Sequence, residues 1–218
     1  MSQPAAVLFD NDGLTLDTEV CWTRAEEALF ARRGRTFTLA HKQEMIGTSA
    51  AVASATLERH LEAPGTGAAL MDELHELLIL ELEHEVLERP GAIALIDALR
   101  VAGLPVGMAS NSPRAIVDRA LTAAGIVDRF DRTIAGDEVE HPKPAPDIYL
   151  ELARLLGADP ARCVAIEDSP TGAAAARAAG MFVIGIPSLE GVELDADLVA
   201  PSLADPAVYA ALGIAPGG

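Results

Sequence analysis

The sequence predicts an α/β fold in which a parallel sheet is covered by helices on both faces and an all-helical segment is inserted after the first strand. Three observations support this prediction. A short apolar run, Ala5–Phe9, opens the chain and ends in acidic residues. The block from residue 17 to residue 88 reads as helix after helix. From Pro90 onward, short apolar runs alternate with helical patterns, which is typical of a parallel sheet with crossover helices.

The composition allows one well-buried domain with room for an inserted second one in 218 residues. Apolar residues make up 50% of the chain, yet no uninterrupted apolar run approaches the ~18 residues needed to cross a membrane. The N-terminus lacks the basic start and long apolar core of a signal peptide, so we expect a cytoplasmic protein. We also expect a monomer, because nothing in the sequence indicates an obligate partner.

The formal net charge is −17, which disfavours nucleic acid as a ligand because its phosphates would be repelled. A small phosphate is still compatible with this charge. A metal ion and a lysine can reverse the sign of the field inside a cleft.

The end of the first strand, Asp10-Asn11-Asp12-Gly13, carries the clearest chemical signal. Side chains at i and i+2 of an extended segment point to the same side, so we expect Asp10 and Asp12 to face one pocket. Gly13 lets the main chain turn there. Two carboxylates held together repel, and Mg²⁺ with its preference for carboxylate and carbonyl oxygens relieves that repulsion. The alternative interpretation is an ordinary acidic turn after a strand.

The inserted segment is predicted to begin with a helix from about Asp17 to Arg33, which Gly34 ends. Met45–Ala50 and Pro64–Gly67 interrupt the following helices as loops. Leucines at helical spacing between Leu70 and Leu87 indicate a further amphipathic helix. Such an all-helical block inside an α/β pattern indicates a cap domain.

The second part of the chain returns to alternating elements after Pro90. The predicted order is helix Ala92–Ala102, strand Pro105–Ala109, helix Pro113–Ala124, strand Thr133–Ala135, helix Pro146–Leu156, strand Cys163–Ile166, helix Thr171–Ala179, strand Phe182–Ile186 and an edge strand at Asp197–Ala200. The last residues, 215–218, are predicted to form a loose tail.

Ser110-Asn111-Ser112-Pro113 follows the second predicted strand and precedes a helix. A hydroxyl, an amide and a helix N-terminus together favour an anion such as phosphate. The alternative is helix capping by Ser112 with Pro113 at the first helical position. We expect capping to account for Ser112, but it leaves Ser110 unexplained.

Two further segments place charged residues where strands end or loops are stiff. Lys143 lies between Pro142 and Pro144, which limit the directions in which its ammonium can point. A solvated surface lysine is the ordinary alternative. Glu167-Asp168 ends another apolar strand and provides the second acidic pair that a Mg²⁺ site needs, although either residue is also a candidate helix cap.

These four motifs, in this order along the chain, resemble those of the haloacid dehalogenase superfamily. The similar branch contains β-phosphoglucomutase and small sugar phosphatases with a helical cap. The resemblance implies a Rossmann-like core formed by residues 1–16 and 89–218, and a helical cap formed by residues 17–88. It also implies that cap closure excludes water, with hinges near 15–18 and 88–90.

The resemblance further implies a role for each motif residue. Asp10 would be the nucleophile that forms an aspartyl-phosphate, and Asp12 would be the general acid and base. Ser110, Asn111 and Lys143 would bind the phosphoryl group. The cofactor would be Mg²⁺, and its ligands would come from Asp10, the Asp12 carbonyl, Glu167 and Asp168.

The departures from the related mutase favour a phosphatase. Ile46 and Ala50 stand where the mutase loop has basic residues for a second phosphate, and Trp22 stands where it has a histidine. Glu19 with Trp22 resembles a signature of sugar and sugar-alcohol phosphatases. We therefore expect a hydrolase acting on a small phosphorylated metabolite, with Glu19, Trp22 and Ile46 as specificity residues.

Three alternatives remain from the sequence. The first is a phosphomutase similar to β-phosphoglucomutase. The second is a non-catalytic protein that binds a phosphorylated ligand, since a fold alone does not prove activity. The third is a signalling receiver domain, which the spacing of Asp10 and Asp12 and the long helical insertion disfavour.

Overall fold

The structure is a computed structural model that describes residues 3–45, 48, 50–84, 86–188 and 191–215. Within these residues, six strands form one parallel sheet in the order β3-β2-β1-β4-β5-β6. The strands are β1 Ala6–Asp10, β2 Val106–Ser110, β3 Arg132–Ala135, β4 Cys163–Glu167, β5 Phe182–Gly185 and β6 Leu198–Val199. The three central strands, β2, β1 and β4, are buried along their whole length, as their apolar sequences require.

Helices cover both faces of the sheet. Those of the second part of the chain are α5 Ala92–Val101, α6 Arg114–Ala124, α7 Asp147–Leu155, α8 Pro170–Ala178 and α9 Pro206–Leu212. Alternate residues of β1 belong to two separate apolar clusters, because successive side chains of a strand point to opposite faces. Val7 and Phe9 pack with α5, α6 and α9, whereas Leu8 packs with α7 and α8. The predicted α/β class and its parallel sheet are confirmed.

The strand order reverses beside β1. The chain runs from β1 through β2 to β3 on one side, and then crosses to β4, β5 and β6 on the other. Phe9 pairs with Ile166 and Asp10 pairs with Ala109, so the acidic ends of β1 and β4 lie side by side. The carboxyl ends of strands at such a reversal are where open α/β sheets bind ligands.

Between β1 and α5 the described residues form four helices: α1 Glu19–Ala31, α2 Leu39–Met45, α3 Ala50–Leu61 and α4 Gly67–Glu81. Their apolar faces bury Leu29, Phe30, Leu57, Leu74 and Leu78. The segments that lead into and out of this block pair with each other as a short antiparallel ribbon. Asp17 N–H donates to Leu87 O (2.8 Å), and Arg89 N–H donates to Thr15 O (2.9 Å). We call these two segments the linker ribbon.

The elements lie within a few residues of their predicted bounds, with one larger difference. The helix expected to reach Leu87 ends at Glu81, because Leu87 is drawn into the linker ribbon instead. The edge strand at 197–200 is present as β6. Ile46 and residues 216–218 lie outside the described residues. None of the described helices combines the length and apolar character that a membrane span requires.

Candidate active site

The carboxyl ends of β1 and β4 and the loop before α7 bring three charged side chains together. Lys143 Nζ lies 2.5 Å from Asp10 Oδ1 and 2.6 Å from Glu167 Oε1. All three residues are buried, with Glu167 fully enclosed. Lys143 is therefore not the solvated surface lysine of the ordinary alternative, but part of a buried charge cluster.

The ammonium of Lys143 has all three of its protons directed at acceptors of the protein. Besides Asp10 and Glu167, it donates to Ala109 O at 3.0 Å. Burial alone would lower the pKa of Lys143, but the carboxylates of Asp10 and Glu167 outweigh it and hold the pKa well above its usual value. In this arrangement Lys143 attracts an incoming anion through its fixed positive charge, because no N–H of the ammonium is left free to donate to it.

Three carboxylates converge beside this lysine. Asp10, Glu167 and Asp168 are all buried, and each offers an oxygen within 4.8 Å of the others. Burial raises the pKa of Asp10 well above its usual value, although Lys143 acts in the opposite direction. Burial, with Glu167 acting in the same direction, raises the pKa of Asp168 to about 7. One lysine does not neutralise this much negative charge.

The donor set fits a hard divalent cation. Carboxylate oxygens are the ligands that Mg²⁺ prefers. Glu167 Oε2 is buried and has no hydrogen-bond partner within the described part of the chain. An ionised oxygen without a partner is costly to bury, so a cation at this position would satisfy it. Asp10, Glu167 and Asp168 would hold that cation.

Two glycines make room for the carboxylates. Gly13 has φ +86°, and a Cβ there would lie 2.4 Å from Asp168 Oδ2. At Gly172 in α8, a Cβ would lie 2.0 Å from Glu167 Oε2. Neither position accepts a side chain unless the adjacent carboxylate moves. The cluster thus depends on how closely the main chain approaches it.

Asp12 is surrounded by hydroxyl groups. Its Oδ1 accepts from Thr18 Oγ1 (2.7 Å), and its Oδ2 accepts from Ser110 Oγ (2.8 Å) and Ser112 Oγ (3.0 Å). Thr18 is the residue that precedes α1, yet its hydroxyl does not cap that helix. These contacts fix the orientation of the Asp12 carboxylate, two residues after Asp10.

The expectation that Ser112 caps the following helix is wrong. The helix α6 begins at Arg114, and no side chain of its N-cap residue makes a capping bond. Its first N–H, that of Arg114, donates instead to Asp137 Oδ1 at 2.9 Å. The Ser112 hydroxyl is therefore free to bind Asp12. Nor do Glu167 and Asp168 cap α8, because Ser169 accepts from Gly172 N–H at 3.1 Å.

The amide of Asn111 holds the loop that carries Lys143. Asn111 Nδ2 donates to Lys143 O (3.0 Å), and Lys143 N–H donates to Asn111 Oδ1 (2.9 Å). The side chain predicted to bind phosphate thus positions the lysine in this structure. Nothing in the local sequence indicates this contact, because the two residues lie far apart in the chain.

The cap contains a second, partly buried lysine cluster that sequence analysis missed. Lys42 Nζ lies 2.8 Å from Glu19 Oε2 and 3.0 Å from Glu26 Oε2. Burial raises the pKa of Glu26 to about 7, although Lys42 acts in the opposite direction. Trp22 lies on the same helix, partly buried, with its ring edge-to-face against His75. Glu19 therefore pairs within the cap, and Ile46 lies outside the described residues.

Comparison with known proteins identifies the family. Residues 4–180 match the family model described as haloacid dehalogenase-like hydrolase. The chain is 31% identical over 194 residues to hexitol phosphatase B of Escherichia coli (strain K12), covering 86% of each protein.

Two solved structures extend this likeness to three dimensions. The crystal structure of CbbY from Rhodobacter sphaeroides in complex with phosphate has a TM-score of 0.83 and 32% identity, and the match covers 93% of this chain and 96% of that one. The structure of β-phosphoglucomutase from Clostridium difficile has a TM-score of 0.76 and 26% identity, with 92% of each chain covered. The family model, the relatives and the arrangement of the acidic strand ends agree: the chain belongs to the haloacid dehalogenase-like hydrolases.

Proposed function

We propose that this protein is a Mg²⁺-dependent phosphatase that hydrolyses a small phosphorylated metabolite, a sugar or sugar-alcohol phosphate, through an aspartyl-phosphate. The observation that carries the proposal is the pairing of Asp10 with Lys143 at the edge of a three-carboxylate cluster, with Asp12 held nearby by the Ser110 hydroxyl. The hexitol phosphatase relative and the phosphate bound to the CbbY relative support a small phosphate ester as substrate.

In the first step, an Asp10 carboxylate oxygen attacks the phosphorus atom, and the bond from phosphorus to the ester oxygen breaks. Asp12 gives its proton to the leaving oxygen, so an alcohol departs. In the second step, Asp12 takes a proton from water as that water attacks phosphorus. The bond from phosphorus to Asp10 then breaks, which releases inorganic phosphate and restores the Asp10 carboxylate.

The main obstacle to the first step is charge. Two like charges ~4 Å apart cost on the order of 4 kcal/mol at an effective dielectric near 20. Lys143 offsets part of this repulsion from its fixed position beside Asp10. Bound Mg²⁺ supplies further stabilisation of the charge on the transferring group. In-line placement of the phosphoryl group supplies much of the remaining rate.

Residues 17–88 act as the cap in this proposal, and residues 1–16 with 89–218 act as the catalytic core. The linker ribbon joins the two parts, so it is the place for a hinge. Thr18 follows the ribbon directly and reaches Asp12. Movement of the cap would therefore change the hydrogen bond that Thr18 donates to Asp12, the proposed general acid. Closure of the cap would exclude water from the reacting groups.

The test is phosphate release from a panel of sugar and polyol phosphates, with and without Mg²⁺, by the wild type and Asp10→Asn. We expect metal-dependent release by the wild type and none by the variant. Borohydride added to quenched reactions reduces an acyl phosphate, so peptide mass spectrometry should find homoserine at position 10. Asp118→Asn on α6 is a matched control outside the pocket. Turnover without modification of position 10, or full turnover by Asp10→Asn, would contradict the mechanism.

A phosphomutase is the second candidate, and the structural likeness to β-phosphoglucomutase favours its inclusion. The same panel distinguishes the two when it contains β-glucose 1-phosphate and is assayed for glucose 6-phosphate. Isomerisation without release of phosphate would identify a mutase. Ile46 and Ala50, which lack the charge to hold a second phosphate, lead us to expect release.

A further inference from the structure

The hydroxyl of Tyr149 lies inside the carboxylate cluster and has no part in the mechanism above. Tyr149 is in α7, and its side chain is fully buried. Its hydroxyl donates to Glu167 Oε1. Its ring also packs against Lys143, whose Nζ lies 4.9 Å from the ring centroid. A phenol this deep in the core is normally placed so that its hydroxyl has a partner, but here the partner is a residue of the site.

The two oxygens of Glu167 have different surroundings. Oε1 accepts from both Lys143 and Tyr149. Oε2 is buried without a hydrogen-bond partner among the described residues. The carboxylate cannot shift towards α8, because its three atoms already fill the space that a Cβ at Gly172 would occupy. One oxygen is therefore saturated and the other is left for a ligand.

We propose that Tyr149 is a positioning residue for the divalent cation: by sharing Oε1 with Lys143, its hydroxyl fixes the Glu167 carboxylate so that Oε2 faces the cation. This inference rests on the proposed Mg²⁺ dependence. Without the hydroxyl, Lys143 alone holds Oε1, and the carboxylate gains freedom to rotate about its Cγ–Cδ bond. Partners of metal ligands typically contribute ten- to a hundredfold in affinity.

The proposal separates metal binding from substrate binding. Tyr149 is fully buried, and its hydroxyl reaches the carboxylate cluster through Glu167. Removal of its hydroxyl should therefore raise the Kd for Mg²⁺ and leave the substrate KM at saturating Mg²⁺ unchanged. A purely structural role would lower stability without this split.

The experiment is titration of the folded, substrate-free protein with Mg²⁺ by calorimetry, and with Mn²⁺ by electron paramagnetic resonance. Tyr149→Phe should weaken binding of either ion about tenfold. The chain has two tyrosines, and Tyr209 in α9 is also buried. Tyr209→Phe is thus the matched control, and its ion affinity should equal that of the wild type.

A double-mutant cycle with Glu167→Gln tests whether Tyr149 affects ion binding through Glu167. If Tyr149 acts through Glu167, adding Tyr149→Phe to Glu167→Gln should weaken binding no further. An unchanged Kd in folded Tyr149→Phe, or fully additive losses, would overturn the role of Tyr149 while the proposed function stands. Failure of the wild type to bind either ion would overturn both this inference and the Mg²⁺ dependence.

Discussion

The chain has two lysines among its 16 basic residues, and each lies between two carboxylates. In the core, the partners of Lys143 come from two neighbouring strands, and Asp168 adds a third carboxylate beside them. In the cap, the partners of Lys42 lie on one helix, and the side chain of Glu19 is 35% exposed. Both clusters pair a lysine with carboxylates, but they differ in how many chain segments converge on them.

That difference decides what each cluster can do. Convergent strand ends place three carboxylates beside a single ammonium, and Glu167 Oε2 is buried without a hydrogen-bond partner in the part of the chain that the structure describes. Such a surplus suits a cation. In the cap, Lys42 lies between only two carboxylates. Glu19 Oε2 makes an ion pair with it but no hydrogen bond among the described residues, and burial raises the pKa of Glu26 to about 7. The core cluster is thus suited to bind a metal ion, and the cap cluster to hold a proton.

The largest effect should come from the same substitution made at both lysines. Lys143→Met leaves Asp10 and Glu167 uncompensated, so we expect kcat/KM to fall about 1000-fold, or roughly 4 kcal/mol. Lys42→Met should lower kcat/KM less than about tenfold, because Lys42 does not contact the carboxylate cluster. Steady-state kinetics at saturating Mg²⁺ would measure both. Equal losses in the two variants would break the comparison.

A smaller effect should appear in the pH dependence of stability. The folded protein keeps the Glu26 proton up to about pH 7, whereas the unfolded chain loses it near the usual value of 4.5. The folded state therefore binds more protons between these values, and the free energy of unfolding should fall as pH rises through that range. The charged groups around Glu26 are Lys42, Glu19 and Glu27.

We expect Glu26→Gln to remove the part of this pH dependence of the free energy of unfolding that comes from Glu26. The difference in unfolding free energy between variant and wild type should shift by about 3 kcal/mol from pH 4.5 to pH 7.5, in favour of the variant at the higher pH. Urea denaturation at several pH values would measure it. A constant difference across that range would show that Glu26 ionises normally.

The smallest effect should arise where the cap touches the core site. Thr18→Val removes one of three hydrogen bonds to Asp12, so we expect kcat to fall about tenfold, close to the lower end of what a hydrogen bond to a charged group contributes. Thr23→Val is the control, because the Thr23 hydroxyl donates to Glu19 O within the same helix. If both variants retained wild-type kcat, the contact between cap and acid would have no catalytic value.

The sequence was sufficient to predict the parts of the fold that depend on local pattern. Apolar runs that end in acidic residues located β1 and β4, and the helical spacing of leucines located α4. The same patterns placed Asp10, Asp12, Glu167 and Asp168 at strand ends, where register then brings them together.

The unpredicted parts depend on partners distant in sequence. Ser112 has the position of a helix cap, but Asp137 takes that role and the hydroxyl turns to Asp12. Tyr149 has the spacing of a core residue, and its contact with Glu167 exists only because α7 packs against the neighbouring strands β1, β2 and β3. The local sequence does not indicate which distant residue caps α6 or which one accepts the hydrogen bond of Tyr149.

Because the linker ribbon holds the two ends of the helical block together, another segment can replace the block. Its two ends lie one hydrogen bond apart, so the sheet carries the block as a closed loop, and the closure entropy of such a loop depends only weakly on its length. Each doubling of such a loop costs only about 0.6 kcal/mol in closure entropy. A longer, shorter or differently folded segment can thus be grafted between Leu16 and Glu88 without disturbing the register of β1. Because Thr18 lies in this segment and donates to Asp12, a graft that keeps this threonine leaves the hydrogen bonds of Asp12 as they are.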